Sequence, residues 1–145
     1  MPTYDLRTVP GRGTVEEAHA VRRTVFIEEQ DVSEAEEMDG RDDDADHVVV
    51  VDESADRPVA TARLRVVDGH GKAERVAVLQ AYRGEGLGKR VMAVLESMAR
   101  RKGIEEMHLN AQTHVEGFYA DLGYETVSDV FYEADIPHVE MRKAL

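Results

Sequence analysis

The sequence predicts a protein of the α/β (α+β) class, with a mixed, mostly antiparallel sheet of about six to seven strands flanked by about four helices. Three observations support this class. Segments with the apolar alternation of strands occur between segments with the apolar spacing of helices. Asp68-Gly69 separates strand-like runs at 59–67 and 73–79, and an Asp-Gly pair in that position predicts a tight antiparallel hairpin. Residues 74–95 then combine a strand, a glycine-punctuated turn and the start of a helix.

A strand and an amphipathic helix begin the chain. Residues 3–9 alternate weakly, as a strand does, and the Pro-Gly-Arg-Gly run at residues 10–13 ends them. Thr14 and Glu17 have the spacing of a capping box, which predicts the start of a helix. The apolar residues that follow keep a helical period to about Gln30, so the helix is expected to end there.

An acidic segment follows at residues 31–46. It has no apolar periodicity, and we expect a solvated loop with one short helical turn near residues 33–38. Its carboxylates approach the spacing of a calcium-binding EF-hand loop, but His47 stands where that loop needs a glycine. We therefore expect no calcium site in this segment.

The remaining elements follow from the same two periods. Strands are predicted at 46–51, 59–67, 73–79, 104–111, 124–132 and 139–141. One helix follows the glycine turn and ends near Lys102, and a second is predicted to begin with a capping box at Thr113 and Glu116. The strand at 46–51 is apolar on both faces, so it is expected inside the sheet. Without a repeat or linker, residues 1–145 are expected to form one domain.

The composition excludes several classes of protein and partner. With 30 acidic and 18 basic residues the chain has a formal net charge of −12, which disfavours nucleic acid and anionic membranes as partners. No apolar run approaches the roughly 18 residues of a membrane span, and no apolar leader is visible, so we expect a cytoplasmic protein. The absence of cysteine excludes disulfides and thiolate nucleophiles. Excess carboxylate with few lysines suits a salt-adapted host, although an ordinary acidic protein would look the same.

The glycine turn has the chemistry of an anion site. The first N–H groups of a helix have no partner within the helix and lie at the positive end of its dipole. Gly84, Gly86 and Gly88 leave room for a phosphate to approach the backbone, and Arg83 and Lys89 add positive charge beside it. The spacing matches neither a Walker A loop nor a dinucleotide fingerprint. We expect a diphosphate here; the alternative is a turn that serves only strand-to-helix packing.

Two motifs resemble the GNAT superfamily of N-acetyltransferases. The order Arg-x-x-Gly-x-Gly, formed by Arg83, Gly86 and Gly88 after a short strand, is similar to the acetyl-CoA loop of that family. Residues 118–124, which read Phe-Tyr-Ala-Asp-Leu-Gly-Tyr, are similar to its Phe/Leu-Tyr-x-x-x-Gly-Phe/Tyr segment. The order of predicted elements also resembles the GNAT fold from end to end.

Residues 21–30 and 136–141 further resemble the ElaA/YjcF-like branch of this family. The resemblance implies an acetyl-CoA-dependent N-acetyltransferase that moves an acetyl group to a primary amine by direct attack, with no metal. It leaves the acceptor open, as a small-molecule or protein amine, and it is compatible with a homodimer. The alternative is a protein with the GNAT fold that binds CoA as a sensor without turnover.

The resemblance also assigns residues to the cofactor. The backbone of Val76, Ala77 and Val78 would pair with the pantetheine arm, and the diphosphate would lie on the turn that follows. The residues of that turn are Arg83, Gly84, Glu85, Gly86, Leu87, Gly88 and Lys89. The family often has an asparagine where this chain has Gln112, whose longer amide could make the same contact.

Tyr119 and Glu74 are the candidates for proton transfer. Tyr119 matches the family's general acid, whose hydroxyl lies near the CoA sulfur. The alternative is a core tyrosine, because apolar residues flank it at helical spacing. Glu74 begins the cofactor strand and is the best-placed carboxylate for a base; the alternative is a solvent-facing strand residue.

Phe26, Glu29, His47 and His138 are candidates for the acceptor side. Phe26 and Glu29 lie near the end of the first predicted helix, where a carboxylate could attract a cationic amine, or could be simply solvated. His47 adjoins an internal strand and His138 a closing strand, so either could face the acceptor. A lone histidine is more often structural.

Overall fold

The structure is a computed structural model and describes residues 3–10 and 13–145, so the break predicted at 10–13 lies partly outside the described residues. Eight strands form one open sheet. They are β1 (Tyr4–Val9), β2 (Asp46–Asp52), β3 (Arg57–Val67), β4 (His70–Val78), β5 (Glu106–Gln112), β6 (Glu125–Thr126), β7 (Phe131–Glu133) and β8 (Ile136–Ala144). The α-helices in this part of the chain are α1 (Glu16–Arg22), α2 (Glu34–Glu37), α3 (Leu87–Arg101) and α4 (Glu116–Asp121).

The strands follow the order β1-β2-β3-β4-β5-β8-β6, and β7 pairs with β8. Among the pairings, β4 with β5 is parallel and the others are antiparallel. The mixed, mostly antiparallel sheet is therefore confirmed. β2 lies between β1 and β3, as its two apolar faces predicted. The predicted hairpin turn is confirmed as well, since Asp68 and Gly69 have φ values of 52° and 80°, as a tight primed turn requires.

The prediction of one strand at 124–132 was wrong. This segment forms two short strands, β6 and β7, which raise the number of strands in the sheet to eight. Ser128 explains the interruption. Its hydroxyl accepts the N–H of Glu140 at 2.8 Å, so a side chain takes a donor of β8 that a continuous strand would have used. Periodicity cannot show such a competition between side chain and backbone.

Neither predicted capping box forms. α1 begins after Val15 and α4 after Val115, and in both cases no side chain caps the helix. Thr113 instead begins a short 3-10 turn that leads into α4. The helical turn predicted near residues 33–38 is confirmed as α2, where the Ser33 hydroxyl accepts the N–H of Glu36 at 3.1 Å.

Helices pack on both faces of the sheet. Val49 and Val51 of β2 form a small cluster with Ala18 of α1. Val48 and Val50 point to the opposite face and belong to the main core, which includes the buried face of α3. The members of that face are Leu87, Val91, Met92, Leu95 and Ala99. A π-helix, Arg23–Glu29, continues α1. It forms one wall of the cleft described in the next subsection.

The acidic segment is solvated only in part, which corrects the prediction: most of its residues are exposed, but Glu37 is buried and Asp39 and Asp42 are half-buried. Three arginines whose side chains are largely buried bind its carboxylates. The ion pairs are Arg22–Glu37 at 2.9 Å, Arg22–Asp42 at 2.7 Å, Arg63–Asp39 at 2.8 Å, Arg63–Asp42 at 3.1 Å, Arg75–Glu37 at 2.8 Å and Arg75–Asp39 at 3.3 Å. Hydrogen bonds to charged groups are strong when buried, so this network fixes the segment against β3 and β4.

None of the helices in the described ranges is both long and apolar enough to cross a membrane.

Candidate active site

The site begins where two neighbouring strands separate. β4 pairs with β5 only at Gly71, Lys72 and Ala73. Beyond these residues β4 contains a bulge, marked by a register shift against β3 and by a φ of 55° at Arg75. A bulge bends its strand. The carboxyl-terminal half of β4 therefore diverges from β5 and leaves a gap in the sheet.

A cleft of about 980 Å³ occupies this gap. Its walls come from β4, β5, the π-helix, the glycine turn and α4. Every residue that the sequence singled out for the site lines it, except Glu85 and His47. Residues far apart in the chain therefore converge on one cavity, as sites for elongated ligands do.

Backbone groups of β4 face the cleft. The Leu79 N–H donates to the Val59 carbonyl of β3 at 2.9 Å, and Ala77 lies opposite Thr61. Because hydrogen-bonding direction alternates along an antiparallel strand, the main-chain groups of Val76 and Val78 point away from β3 and toward the gap.

The glycine turn provides a row of free donors at the mouth of the cleft. α3 begins after Gly86 without a side-chain cap, and its first internal bond runs from the Arg90 N–H to the Gly86 carbonyl at 3.1 Å. The N–H groups of residues 84–89 donate no hydrogen bond to any described residue. Gly84 and Gly86 have φ values of 83° and 82°, and a Cβ at either would meet no protein atom within 4 Å. The positive φ is therefore what favours glycine at both positions, and the open space beside them leaves the backbone accessible.

Gly88 has a second role. A Cβ at this position would lie 3.1 Å from Cζ of Phe118, so the glycine also lets α3 approach α4 closely. The Glu85 side chain turns away from the cleft and accepts a hydrogen bond from the Tyr4 hydroxyl. Gly88 therefore lines the cleft and also permits the close packing of α3 against α4. Glu85 could contribute to the site only through its backbone.

Arg83 is held in place by protein groups. Its guanidinium forms a two-pronged ion pair with Glu29, with both N–O distances at 2.8 Å, and its Nε donates to the Val78 carbonyl at 2.9 Å. The pair joins the end of the π-helix to the glycine turn across the mouth of the cleft. A bound anion would therefore have to share Arg83 with Glu29, whereas Lys89 has no such partner among the described residues.

Tyr119 places an uncommitted hydroxyl inside the cleft. Its side chain is only 8% exposed, and its hydroxyl forms no hydrogen bond with any residue the structure describes. Edge-on contacts with Phe118 and Tyr124, at ring distances of 5.0 and 6.0 Å, fix the ring. Burial raises the pKa of Tyr119 well above its ordinary value, so the phenol remains protonated and able to donate.

Residues 14–145 match the family model described as "Acetyltransferase (GNAT) domain". The chain belongs to the GNAT acetyltransferase family. It is 40% identical over 144 residues to the protein YyaT of Bacillus subtilis (strain 168), covering 97% of this chain and 96% of that protein. The uncharacterized N-acetyltransferase YjcF of the same organism is 40% identical over 130 residues, covering 89% and 91%. The crystal structure of Escherichia coli ElaA matches with a TM-score of 0.84 at 28% identity, covering 97% of this chain and 99% of that one.

These similarities confirm the predicted family and its ElaA/YjcF-like branch, and they make this GNAT protein an acyltransferase. The cleft between β4 and β5 is accordingly the candidate active site. The remaining site residues differ in how well their surroundings suit the roles that the sequence suggested.

Glu74 is a poor base in this GNAT structure. Arg65 and Arg63 donate to its carboxylate, with Nη2 distances of 3.0 and 2.9 Å, and Lys72 Nζ lies 3.6 Å away. Burial alone would raise the pKa of Glu74, but the hydrogen bonds and charges of the two arginines outweigh it and lower the pKa to about 2. A carboxylate so stabilised as an anion has little tendency to accept a proton, which argues against the predicted role.

His138 is better arranged to accept a proton. Its Nδ1 lies 2.7 Å from the Ile136 carbonyl, which can only accept, so we assign the ring proton to Nδ1. Nε2 then has a free lone pair in the neutral ring. Phe131 stacks near the ring at 6.0 Å, and the nearest carboxylate oxygen, on Glu133, is 4.0 Å from Nε2. His138 lines the cleft and is 7% exposed.

His47 lies outside the cleft, which corrects the expectation that it faces an acceptor. It is 1% exposed, and its Nε2 bonds to the Asp42 carbonyl at 3.1 Å. Burial lowers the pKa of His47, so the ring is held neutral as a donor to that carbonyl. Its role is to join β2 to the acidic segment.

The sequence interpretation missed several lining residues, including three polar ones. Lys72, Asn110 and Glu133 face the cleft, and Asn110 Nδ2 donates to Glu133 at 2.9 Å. Asn110 could have been found, because it precedes Gln112 by two positions and alternate residues of a strand share a face. Gln112 itself exchanges amide hydrogen bonds with Gln30 at 2.9 and 3.4 Å, which connects β5 to the end of the first helix.

Proposed function

We propose that the protein is an acetyl-CoA-dependent N-acetyltransferase that acetylates a primary amine by direct attack. The observation that supports this most is the continuity of the cleft. It runs along the part of β4 that does not pair with β5 and ends at six consecutive free N–H groups at the start of α3. An elongated thioester with a diphosphate group matches a path that offers strand-like pairing at one end and anion binding at the other.

In this proposal the same groups bind the cofactor. The diphosphate accepts hydrogen bonds from the N–H groups of residues 84–89, with Lys89 beside them. The pantetheine amides pair with the main-chain groups of Val76 and Val78. This extended path brings the thioester toward the region of the cleft that contains Tyr119 and His138.

The reaction follows from the two polar side chains there. The neutral nitrogen of the acceptor amine forms a bond to the thioester carbon, and Nε2 of His138 accepts the proton that this nitrogen loses. A β4 backbone N–H stabilises the negative charge on the carbonyl oxygen. The carbon–sulfur bond then breaks, and the departing thiolate takes the proton of the Tyr119 hydroxyl. This path needs no acyl-enzyme, which agrees with the absence of cysteine from the chain.

The acceptor end of the cleft favours a cationic amine. Glu36 and Glu133 line the cleft, and neither forms an ion pair with a lysine or arginine of the described residues. Carboxylates left without a cation attract one. A small diamine or polyamine, or a lysine side chain, would satisfy them.

Calorimetric titration of acetyl-CoA tests the proposal, with wild type compared with a Gly86→Glu variant. The glutamate introduces a negative charge where the diphosphate binds, so we expect its binding to fall by about 100-fold or more. Gly103→Glu is the matched control. Gly103 follows the other end of the same helix, has a φ of 77° and has nothing within 4 Å of a Cβ, so its backbone strain is comparable.

Wild-type affinity in Gly103→Glu together with weakened binding in Gly86→Glu would support diphosphate binding at the glycine turn. Equal binding in all three proteins, or none in wild type, would refute it. Thiol release measured with a panel of cationic amines then distinguishes an enzyme from a sensor, because a sensor binds acetyl-CoA and releases no thiol with any amine.

A further inference from the structure

Two histidines and a glutamate meet on the sheet just outside the cleft. His70 is the first residue of β4, and Glu106 and His108 lie at the start of β5. Gly71 lies beside Met107 and Lys72 beside His108 in the parallel pairing, so His70 lies next to Glu106. Because alternate residues of a strand share a face, all three side chains project from the same side of the sheet.

The side chains are already close enough to share a ligand. One nitrogen or oxygen from each lies within 4.8 Å of the other two. The two imidazole rings stack at 4.2 Å, inclined by 19°, and Nε2 of His108 lies 2.5 Å from Oε1 of Glu106. His70 forms no hydrogen bond to any described residue, although it is half-buried. Its ring nitrogens are therefore available.

From this arrangement we infer that His70, Glu106 and His108 form a binding site for a divalent transition metal, with zinc as the expected ion. Two imidazoles and one carboxylate are a recurring zinc donor set that leaves a fourth position open. Zinc bonds to nitrogen and oxygen are roughly 2.0–2.2 Å long, so the ligand atoms need only converge by side-chain rotation. The donor set does not suit calcium or magnesium, which prefer oxygen ligands.

The surrounding charges do not close the site. Lys72 is on the same face of β4 but pairs with Glu74 at 3.6 Å. Arg142 lies beside His108 on β8 and pairs with Glu140 at 3.0 Å. Each of these two cations therefore already contacts a carboxylate outside the cluster. They weaken the attraction for a metal without occupying its ligands.

A metal at this position would connect β4 to β5. β4 and β5 pair only over Gly71–Ala73 before they diverge around the cleft. A metal bound by His70 of one strand and by Glu106 and His108 of the other would tie the strands together on the near side of that divergence. It would stabilise the base of the cleft without entering it.

Titration of Co²⁺ and Zn²⁺ into tag-free protein tests the site. We expect a single equivalent of Co²⁺ to bind, with visible absorption bands of a four- or five-coordinate ion, and Zn²⁺ to displace it. His70→Asn and His108→Asn should each weaken binding by about tenfold or more, since removal of a direct ligand costs at least as much as removal of a supporting group. His114→Asn, an exposed histidine outside the cluster, is the control and should bind as wild type does.

Glu106→Gln provides a variant of nearly unchanged size should either histidine variant fold poorly, and it should also weaken binding. Far-ultraviolet circular dichroism without metal checks that each variant is folded. Zinc should raise the Tm of wild type and of His114→Asn but not that of His108→Asn. The absence of saturable Co²⁺ binding to wild type, or equal binding by the His70, His108 and Glu106 variants, would overturn the inference.

Discussion

Replacing Glu74 with glutamine should destabilise the protein strongly at neutral pH, and less so in acid. Glu74 accepts hydrogen bonds from Arg63 and Arg65 and has a side chain that is only 13% exposed. The difference between its ordinary pKa of 4.5 and about 2 in the folded protein gives a stabilisation of about 3 kcal/mol, at about 1.4 kcal/mol for each pKa unit. Loss of one member of a buried ion pair typically costs about 3–5 kcal/mol, so the two magnitudes agree.

The sign of the pH dependence follows from the lowered pKa. The carboxylate is more stable in the folded protein than in the unfolded chain, so its contribution is fully present above pH 4.5 and is lost as the pH falls toward 2. The uncharged glutamine cannot make this contribution at any pH. The gap between wild type and Glu74→Gln should therefore be widest at pH 7 and should narrow steadily below pH 4.5.

Urea denaturation at several pH values between 3 and 7 measures this gap directly. Glu34→Gln is the matched control, because Glu34 pairs with Arg23 on the surface, where the side chains are 66% and 56% exposed. An exposed pair contributes about 0–1 kcal/mol, so this variant should change little. A gap below about 1 kcal/mol for Glu74→Gln at pH 7, or a gap that stays constant with pH, would refute the reasoning.

Three further predictions concern single side chains. Tyr119→Phe should lower kcat for acetyl transfer by about 100-fold, because the general acid is lost. Acetyl-CoA binding should be retained, because the hydroxyl forms no hydrogen bond with a described residue. Unchanged kcat would exclude Tyr119 as the acid. Tyr124→Phe should lower the free energy of unfolding, measured by urea denaturation, by about 1–3 kcal/mol, because the Tyr124 hydroxyl donates to buried Glu96 at 2.8 Å. Unchanged stability would mean that Glu96 finds another partner. Gly71→Ala should lower the free energy of unfolding by about 1–3 kcal/mol, because the added Cβ would lie 2.6 Å from Sδ of buried Met107. Wild-type stability of this variant would show that Met107 moves aside freely.

The glycine turn was predictable because its chemistry is local. A strand, closely spaced glycines and an amphipathic helix lie in one continuous stretch, and each constrains the backbone of the next. The free N–H groups of residues 84–89 follow from that order alone. The Asp68-Gly69 hairpin was predictable for the same reason, since both residues adopt the positive φ that the turn requires.

The buried carboxylates of the acidic segment were not predicted, because their partners are remote in sequence. Asp39 and Asp42 bind Arg63, and Glu37 binds Arg22, across elements that periodicity treats separately. A run of carboxylates without apolar residues has the pattern of a solvated loop whether or not arginines lie beneath it. The same limit applied to Glu74, whose position in a strand was predicted but whose cationic neighbours were not.

By itself the sequence determined the class of fold, the family and the glycine turn at the start of α3, because these depend on contiguous residues and their spacing. Only the tertiary structure decided the chemistry of individual side chains. It placed His138 in the cleft and His47 outside it, and it brought His70 next to Glu106 and His108. The reason is physical: the proton affinity, burial and ligands of a side chain depend on the groups within a few ångströms, and strand pairing brings those groups together from distant parts of the chain.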